Sequence, residues 1–398
     1  MKLSNRGQNV PASPIRRLVP FADQAKASGA SVYHLNIGQP DIPTPPEMLD
    51  AYRSFGDSVL AYGPSAGLPV LKDAIAAYWE HFNVSVSPEE IVVTTGGSEA
   101  ILFALLATCD PGDEILVPEP FYTNYLGFSS AAGTTVVPIP CSVSNGFQLP
   151  SVEEIESHLT PRTRAILYCN PGNPTGVVYS RDEVERMAVV AEKHNLFLLA
   201  DEVYREFVYG ETEFTSAFHL SGLEERIVVL DSVSKRYSAC GARVGYLATR
   251  NKALIEAATR YGQARLCPAT IDQLAAAAGF ASHTKYIDDV IHEYEGRRDT
   301  LYSCLQSIPG VETHVPRGAF YTIARLPLDD AEAFAKWMLT DFRVDGKTVM
   351  VAPASGFYAT PGVGLDEVRI AYVLNSTDLK ASMHILEKGL EAFRSLTP

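Results

Sequence analysis

Short apolar runs alternate with segments of helical spacing along the first two thirds of this chain. Seven apolar runs have the length of β-strands, and they lie at 91–97, 114–120, 134–140, 165–171, 196–204, 226–235 and 243–249. Apolar residues recur at helical spacing in five other segments, at 71–82, 98–109, 121–133, 152–159 and 181–195. Strands that are apolar almost throughout and alternate with helices are typical of a parallel sheet covered by helices on both faces. The pattern therefore predicts an α/β unit, and such a sheet binds ligands at the carboxyl ends of its strands.

The pattern changes after residue 250, where helices predominate. Helices are predicted at 251–263, 270–280, about 285–307, 330–342 and 377–395, and strands at 318–326 and 367–374. The weakly patterned N-terminal segment, up to about residue 35, is interpreted as an arm plus one helix. We expect a large domain over residues 50–290, and a smaller α+β domain formed by residues 1–49 together with 291–398.

Composition and charge exclude several classes of protein. The 398 residues are 46% hydrophobic and 20% charged, which is ordinary for a globular protein and excludes disorder for most of the chain. The formal net charge is −14, and an acidic chain gains no affinity from the release of phosphate counterions. We therefore expect no nucleic-acid partner.

The cysteines and the apolar runs bear on location. Six cysteines lie singly in the chain and form neither a CxxC motif nor a Cys/His cluster, so we expect reduced thiols and no metal site. The N-terminus lacks the apolar segment of a signal peptide, and no apolar run reaches the ~18 residues of a membrane span. We expect a cytoplasmic protein with no membrane contact.

Two of the predicted strands end in turns suited to ligand binding. In TTGGSEA (94–100) two glycines open a helix, which leaves the backbone N–H groups of Gly97, Ser98 and Glu99 available to bind a phosphate. In NPGNPTG (170–176) two prolines and two glycines fix a loop that presents the amide of Asn173. Each feature, taken alone, also has an ordinary explanation as a turn, with Ser98 as a helix N-cap in the first.

Two other strands lead into ionisable residues. Five apolar residues precede Asp201, and a carboxylate that emerges from a buried strand is unfavourable unless a cation or a strong donor meets it. Lys235 follows an apolar run, and desolvation lowers the pKa of an amine and makes it nucleophilic. Ser232 lies three residues before this lysine, and Arg243 lies eight after it. Taken alone, Asp201 also has a simpler explanation as a helix-capping residue, and Lys235 as a solvated residue of a surface loop.

One ligand accounts for all four strand ends at once. Pyridoxal phosphate needs a lysine for a Schiff base, an acid that keeps its pyridinium nitrogen protonated, and donors for its phenolic oxygen. Its phosphate needs backbone N–H groups and an arginine. Because the carboxyl ends of parallel strands lie at one edge of a sheet, the four features would meet there.

The order of these motifs resembles the class I/II aminotransferases of fold type I. The match extends from NIGQPD (36–41) to VRIAY (368–372) and includes GGSEA, NPGNPTG, DEVY and SVSK, with an arginine eight residues after the lysine. The resemblance implies a mostly parallel seven-stranded sheet between helices, a smaller α+β domain, and pyridoxal phosphate as cofactor. It also implies a homodimer with shared active sites that moves the amino group of an L-amino acid to a 2-oxo acid.

The resemblance also implies roles for individual residues. Lys235 matches the Schiff-base lysine, which moves the proton between the substrate Cα and the cofactor, and Asp201 matches the partner of the pyridinium nitrogen. Asn173 and Tyr204 match the donors to the phenolic oxygen, and Asn173 also faces the substrate. The other matches are Gly97, Ser98, Glu99, Ser232 and Arg243 at the phosphate, Tyr122 stacked on the ring, Tyr62 reaching the phosphate of the neighbouring subunit, Arg369 on the substrate α-carboxylate, and Gly38 beside it. For Arg369 the pattern agrees independently, because a planar guanidinium fork on a carboxylate explains an arginine within an apolar strand.

The substrate depends on a second cation. A dicarboxylic substrate needs one for its distal carboxylate, and the candidates are Arg16, Arg17 and Arg265, of which we favour Arg265. We expect aspartate or a similar dicarboxylate as the amino donor and 2-oxoglutarate as the acceptor. An aromatic amino acid aminotransferase, and a β-lyase or decarboxylase on the same fold, stay open as alternatives.

Other functional classes find less support in the sequence. The segment 232–235 also matches SxxK of penicillin-binding serine enzymes, but the companion motifs do not follow in their order. No GxGxxG follows a predicted strand, which argues against a dinucleotide oxidoreductase. A regulator built on this fold would need a DNA-binding module, which the pattern does not show.

Overall fold

The computed structural model describes residues 1–396, apart from the side chains of Asn9 and Lys285. Its strands, in chain order, are β1 (Ser31–His34), β2 (Ile91–Thr95), β3 (Glu114–Glu119), β4 (Thr135–Pro140), β5 (Thr163–Cys169), β6 (Phe197–Asp201), β7 (Ile227–Ser232), β8 (Val244–Ala248), β9 (Glu312–Thr313), β10 (Tyr321–Arg325), β11 (Lys347–Met350), β12 (Ala352–Pro353) and β13 (Glu367–Ala371). Its α-helices are α1 (Asn5–Asn9), α2 (Val19–Ala27), α3 (Pro46–Ser54), α4 (Pro69–Trp79), α5 (Gly96–Thr108), α6 (Asn124–Ala132), α7 (Val152–Ser157), α8 (Arg181–Lys193), α9 (Val233–Arg236), α10 (Lys252–Arg265), α11 (Thr270–Ala281), α12 (His283–Ser307), α13 (Ala331–Thr340) and α14 (Ser376–Leu396).

The central sheet has seven strands in the order β2-β8-β7-β6-β5-β3-β4. Only β8 runs antiparallel to its neighbours, and the other six strands point the same way. The predicted mostly parallel seven-stranded sheet is therefore confirmed. Its carboxyl edge also receives the amino end of β8, because that strand runs in the opposite direction.

Helices cover both faces of this sheet. Along β6, Leu198 and Ala200 belong to one apolar cluster and Leu199 to the cluster on the other face, as the alternation of side chains in a strand requires. Both faces of β6 are buried, and for that reason its sequence is apolar without alternation.

The second part of the chain is the predicted α+β unit. A four-stranded antiparallel sheet has the order β12-β13-β10-β9, and β1 pairs in parallel with β11. The sequence pattern missed β1 and β11, which are four residues long, and the two-residue strands β9 and β12. We still propose the division at residues 50 and 290, although α3 begins at Pro46 and packs against α11 of the large part.

One predicted element is wrong at a position that matters. The strand expected over 226–235 ends at Ser232, and Lys235 lies on the short helix α9. The hydroxyl oxygen of Ser232 accepts a hydrogen bond from the backbone N–H of Ser234 and so caps this turn. The lysine therefore leaves the sheet edge on a helical turn.

Membrane spans and metal clusters were also sought in residues 1–396. No helix there is long and apolar enough to cross a bilayer. Within the same range, no group of three or more histidine, cysteine or acidic side chains could hold a metal ion.

Candidate active site

A cavity of about 450 Å³ lies at the carboxyl edge of the central sheet. Eleven of the residues predicted from the sequence line it, namely Gly38, Gly97, Ser98, Tyr122, Asn173, Asp201, Tyr204, Ser232, Lys235, Arg243 and Arg369. Three others, Tyr62, Glu99 and Arg265, lie outside it. The cavity thus combines an amine, a carboxyl group and the guanidinium groups of Arg243 and Arg369 with that of Arg16, which was a candidate for the distal carboxylate.

The Lys235 amine points across the cavity to the small part of the molecule. Its Nζ donates a hydrogen bond to the carbonyl oxygen of Gly38 at 2.8 Å and lies 3.8 Å from Sγ of Cys240. That thiol donates to the carbonyl of Ser234 at 3.2 Å. The amine is therefore held by a carbonyl and a weak sulfur acceptor, and no ion pair restrains it within the described residues.

Asp201 ends β6 and is 6% exposed. Desolvation raises the pKa of its carboxyl group to about 6, although the hydroxyl of Tyr125 donates a hydrogen bond to Oδ2 at 2.6 Å and lowers it in part. A carboxylate buried in this way is stabilised by a protonated ring nitrogen placed next to it. The sequence pattern missed Tyr125, although its position three residues after Tyr122 on a helical segment was visible.

The turn between β2 and α5 opens a helix toward the cavity. Gly96 has a φ of +72°, and a Cβ at this position would overlap the guanidinium of Arg243. This glycine therefore allows an arginine to lie over the first turn of α5. Gly97 and Ser98 line the cavity at the same point, and Ser232 faces them from the end of β7.

Arg369 lies in β13 and is 1% exposed. Its Nη1 donates to Oδ1 of Asn173 at 3.1 Å, and its Nη2 donates to the carbonyl oxygen of Asn36. Burial lowers the pKa of this guanidinium, and its Nε has no hydrogen-bond partner among the described residues. A buried donor without an acceptor is costly, so the side chain is prepared for an anion.

Two tyrosines complete the wall of the cavity. The hydroxyls of Tyr204 and Tyr321 lie 2.9 Å apart, and the Tyr321 ring lies 4.6 Å from the Arg369 guanidinium carbon. Burial raises the pKa of Tyr122 to about 12, so its hydroxyl stays protonated at neutral pH. Tyr321 was not predicted from the sequence. The pattern that could have indicated it is the aromatic pair Phe320-Tyr321 in the strand predicted over 318–326.

The structure separates Arg265 from the cavity. Its Nε lies 3.2 Å from Oε1 of Glu99, and its Nη2 donates to the carbonyl of Val93 at 3.2 Å. A role at the distal carboxylate within the same chain would require this ion pair to break, so the structure does not favour our choice of Arg265. The Glu99 side chain also accepts the N–H of Thr95 at 2.7 Å and turns away from the cavity.

Tyr62 lies on the surface in an irregular segment. It is 81% exposed, and it is not part of the cavity of its own chain. This placement leaves it free to contact a second subunit.

The N-terminal arm forms one side of the cavity. Ser13, Ile15 and Arg16 line it, together with Ile37 from the segment after β1. Only Arg16 among these four was a candidate from the sequence. The other three were not predicted, because the weak pattern of the arm does not indicate where the arm lies in the fold.

A buried ionic cluster lies behind the cavity, formed by Glu202, Arg205, Glu206, Asp231 and Arg236. All five are less than a tenth exposed. Arg205 bridges Glu202 at 3.0 Å and Asp231 at 3.1 Å, and Arg236 bridges Asp231 at 2.8 Å and Glu206 at 2.5 Å. The cluster brackets the turn that carries the cavity residues, because Asp231 and Arg236 lie at its two ends. Sequence reasoning missed it, although acidic residues follow apolar runs at 201–202 and at 231.

The residues of this cavity fit pyridoxal phosphate. The amine of Lys235 suits its aldehyde, the buried acid Asp201 suits its ring nitrogen, and the first turn of α5 with Arg243 suits its phosphate. The Arg243 guanidinium packed against Gly96 and the unpaired Nε of Arg369 show where anions are expected. These are the groups that the cofactor and the carboxylate of an amino acid require.

Comparisons with known proteins agree with this chemistry. The family described as aminotransferase class I and II matches residues 30–382. A probable aspartate/prephenate aminotransferase of Aquifex aeolicus is 31% identical, over 98% of both chains. The solved aspartate aminotransferase of Thermotoga maritima superimposes with a TM-score of 0.89 at 31% identity, over 98% of this chain and 100% of the other. An alanine aminotransferase from Pyrococcus furiosus gives a TM-score of 0.90 at 30% identity, with the same coverage. The chain therefore belongs to the class I and II aminotransferases and is a pyridoxal-phosphate-dependent transaminase.

Proposed function

We propose that this aminotransferase takes the amino group of L-aspartate, or of a similar dicarboxylic amino acid, and passes it to 2-oxoglutarate. The observation that carries the proposal is the cavity itself, where the amine of Lys235, the acid Asp201 and the partly unpaired guanidinium of Arg369 meet. The names of relatives from Aquifex aeolicus and Bacillus subtilis support aspartate as donor. The Pyrococcus furiosus neighbour is named for alanine, so the names alone do not decide the substrate.

Four residues of the cavity have distinct roles in the proposed reaction. Pyridoxal phosphate, when bound, supplies the electron sink that the removal of the Cα proton requires. Arg369 and Asn173 bind the substrate α-carboxylate, and their mutual hydrogen bond at 3.1 Å fixes the direction from which it is held. Lys235 takes the proton from Cα, since its amine lies beside Gly38 at the same side of the cavity. Asp201 holds a positive charge at the bottom of the site.

The second part of the proposal is a homodimer in which each active site uses Tyr62 of the other subunit. Val59, Leu60 and Tyr62 are 70%, 60% and 81% exposed, and such a run of exposed apolar side chains is typical of an interface. Hybrid dimers test the arrangement. The Lys235→Ala chain is expected to be inactive alone and the Tyr62→Phe chain weakly active, and mixing them should raise the activity, because one site of each hybrid keeps both residues. If mixing restores nothing while dimers exchange, Tyr62 does not act across the interface.

Spectra and kinetics test the donor and the reaction type. Adding aspartate alone to the loaded enzyme is expected to convert the aldehyde form of the cofactor to the pyridoxamine form, with one oxo acid released per site. A β-lyase or decarboxylase would instead turn over continuously without that conversion. If alanine or tyrosine exceeds aspartate by about 100-fold in kcat/KM, which is about 2.7 kcal/mol of transition-state binding, the proposed donor is wrong.

We also propose that the protein works in the cytoplasm. The support comes from the six cysteines, which are all free thiols in the structure. Free thiols persist in a reducing compartment.

A further inference from the structure

Of the four cationic side chains that line the cavity, Arg16 is the one that neither the cofactor nor the substrate α-carboxylate is expected to take. Arg16 lies in the N-terminal arm just before α2, in a turn where its backbone N–H donates to the carbonyl of Ser13 at 3.1 Å. Its side chain lines the cavity and makes no hydrogen bond or ion pair with any residue of the described chain. Arg16 is exposed in this single chain, so its guanidinium is accessible to a ligand.

The other two candidates for a second cation are already engaged. Arg17 lies 2.5 Å from Oε2 of Glu332 and lines a separate groove beside the arm. Arg265 is paired with Glu99, outside the cavity. The arm therefore offers the cavity one free guanidinium.

Once the other charged groups of the cavity are assigned to the cofactor and the substrate α-carboxylate, Arg16 is left without a ligand. Asp201 is the only acidic residue among the lining residues, against Lys235, Arg243, Arg369 and Arg16. The cofactor takes the amine, the acid and the guanidinium at its phosphate, and the substrate α-carboxylate takes Arg369. A second carboxylate on the substrate would match the remaining cation.

The arm is connected to the residue that binds the α-carboxylate. Asn36 accepts Nη2 of Arg369 on its carbonyl, and its own side-chain Nδ2 donates to the carbonyl of Ile15 at 3.3 Å. Asn36 is fully buried, so this link does not depend on the surface. Asn36 therefore connects the Arg369 guanidinium to the backbone of Ile15, the residue before Arg16, and holds this part of the arm beside the α-carboxylate site.

We propose that Arg16 binds the distal carboxylate of the substrate and so makes the enzyme selective for dicarboxylic amino acids and oxo acids. This inference rests on the proposed function and replaces Arg265 in it. A planar guanidinium binds a carboxylate through two parallel hydrogen bonds, so a substrate with a distal carboxylate gains a charge-assisted contact that a monocarboxylic substrate lacks.

Three methionine variants test the assignment. Arg16→Met removes the free charge at similar volume, Arg17→Met is the matched control beside it in the arm, and Arg265→Met tests the alternative cation. Binding to the loaded enzyme is measured by calorimetry with succinate, and with butyrate, which has the same chain length but one carboxylate. Steady-state kcat/KM is measured for aspartate and for alanine.

Arg16→Met is expected to weaken succinate binding and to lower kcat/KM for aspartate by about 100-fold each, the size of a lost hydrogen-bonded charge pair. Butyrate and alanine should change less than about 3-fold, and Arg17→Met should behave as the wild type. Equal losses for aspartate and alanine would mean that Arg16 only holds the arm, which overturns the inference. A loss of selectivity in Arg265→Met but not in Arg16→Met also overturns it. A wild-type enzyme that does not prefer succinate to butyrate contradicts instead the proposed dicarboxylic substrate.

Discussion

Replacement of Asp231 by asparagine tests whether the buried ionic cluster holds the active-site turn. Asp231 is 1% exposed, and its Oδ2 accepts Arg205 at 3.1 Å, Arg236 at 2.8 Å and the hydroxyl of Tyr246 at 2.7 Å. Its Oδ1 accepts the backbone N–H of Ser232 at 2.6 Å. Asparagine keeps the shape of the side chain but removes the negative charge that two buried guanidinium groups share.

The expected cost follows from this burial. Breaking a buried ion pair by removing one partner destabilises a protein by about 3–5 kcal/mol, and here Arg205 and Arg236 both lose the charged acceptor that they share. With an unfolding entropy of about 2.1 cal/mol/K per residue, a chain of this length would lose about 4–6 °C in its thermal midpoint. The affinity for pyridoxal phosphate should fall as well, since Ser232 directly follows Asp231 at the phosphate end of the cavity.

The assay is thermal unfolding of the loaded enzyme, with cofactor affinity measured by fluorescence titration. Asp50→Asn is the matched control, because Asp50 pairs with Arg53 at 2.7 Å on the surface, where both side chains are about 70% exposed. That change should cost less than about 0.5 kcal/mol. If Asp231→Asn costs no more than Asp50→Asn, the carboxylate of Asp231 does not stabilise the cluster and the reasoning is refuted.

Three further predictions concern the cavity. Lys235→Ala should abolish transamination, and borohydride reduction of the variant should yield no peptide that carries the cofactor. A cofactor-labelled peptide from another position would contradict the assignment of Lys235 as the Schiff-base lysine. Burial raises the pKa of Asp201 from 3.8 to about 6, so its contribution to the stability of the cofactor-free protein is complete below pH 4 and lost as the pH rises through 6. The free energy of unfolding of wild type relative to Asp201→Asn should therefore fall by about 2 kcal/mol between pH 4 and pH 6.5, and a constant difference in denaturant titrations would show that this pKa is not raised. Gly96→Ala should weaken cofactor binding by about 10-fold or more, because its Cβ displaces Arg243 and its φ is +72°; an unchanged dissociation constant would show that Arg243 does not bind the phosphate.

The central sheet was predictable because both of its faces are buried. The apolar runs around Leu198 and Val229 stand out from their polar neighbours, and the six parallel strands follow from the helices between them. The short pair β1 and β11 was not predictable, because four residues in each strand carry too little pattern. Their pairing joins residues that lie more than 300 positions apart.

The residues around the cofactor were predictable for a related reason. Asp201, Ser232 and Asn173 lie at or just beyond strand ends, so their meeting follows from the direction of the strands alone. The sequence pattern did not predict where the strand before Lys235 ends. The apolar run up to Lys235 looked like one strand, and the capping hydrogen bond that ends it at Ser232 was not recognised.

The substrate end of the cavity depends on contacts that no local pattern contains. The sequence offered Arg16, Arg17 and Arg265 as candidates and favoured Arg265, but the three differ in what the fold places beside them. Glu332 forms an ion pair with Arg17 and Glu99 forms one with Arg265, and each acid lies far from its arginine in the sequence. Arg16 has no such partner among the described residues, and the arm beside it is held by Asn36, whose carbonyl also accepts Arg369. The places of the proposed cofactor residues thus follow from the order of the strands, whereas the proposed substrate cation is set apart only by long-range charge pairing, so chains with the same sheet are free to differ in the amino acid that we expect them to use.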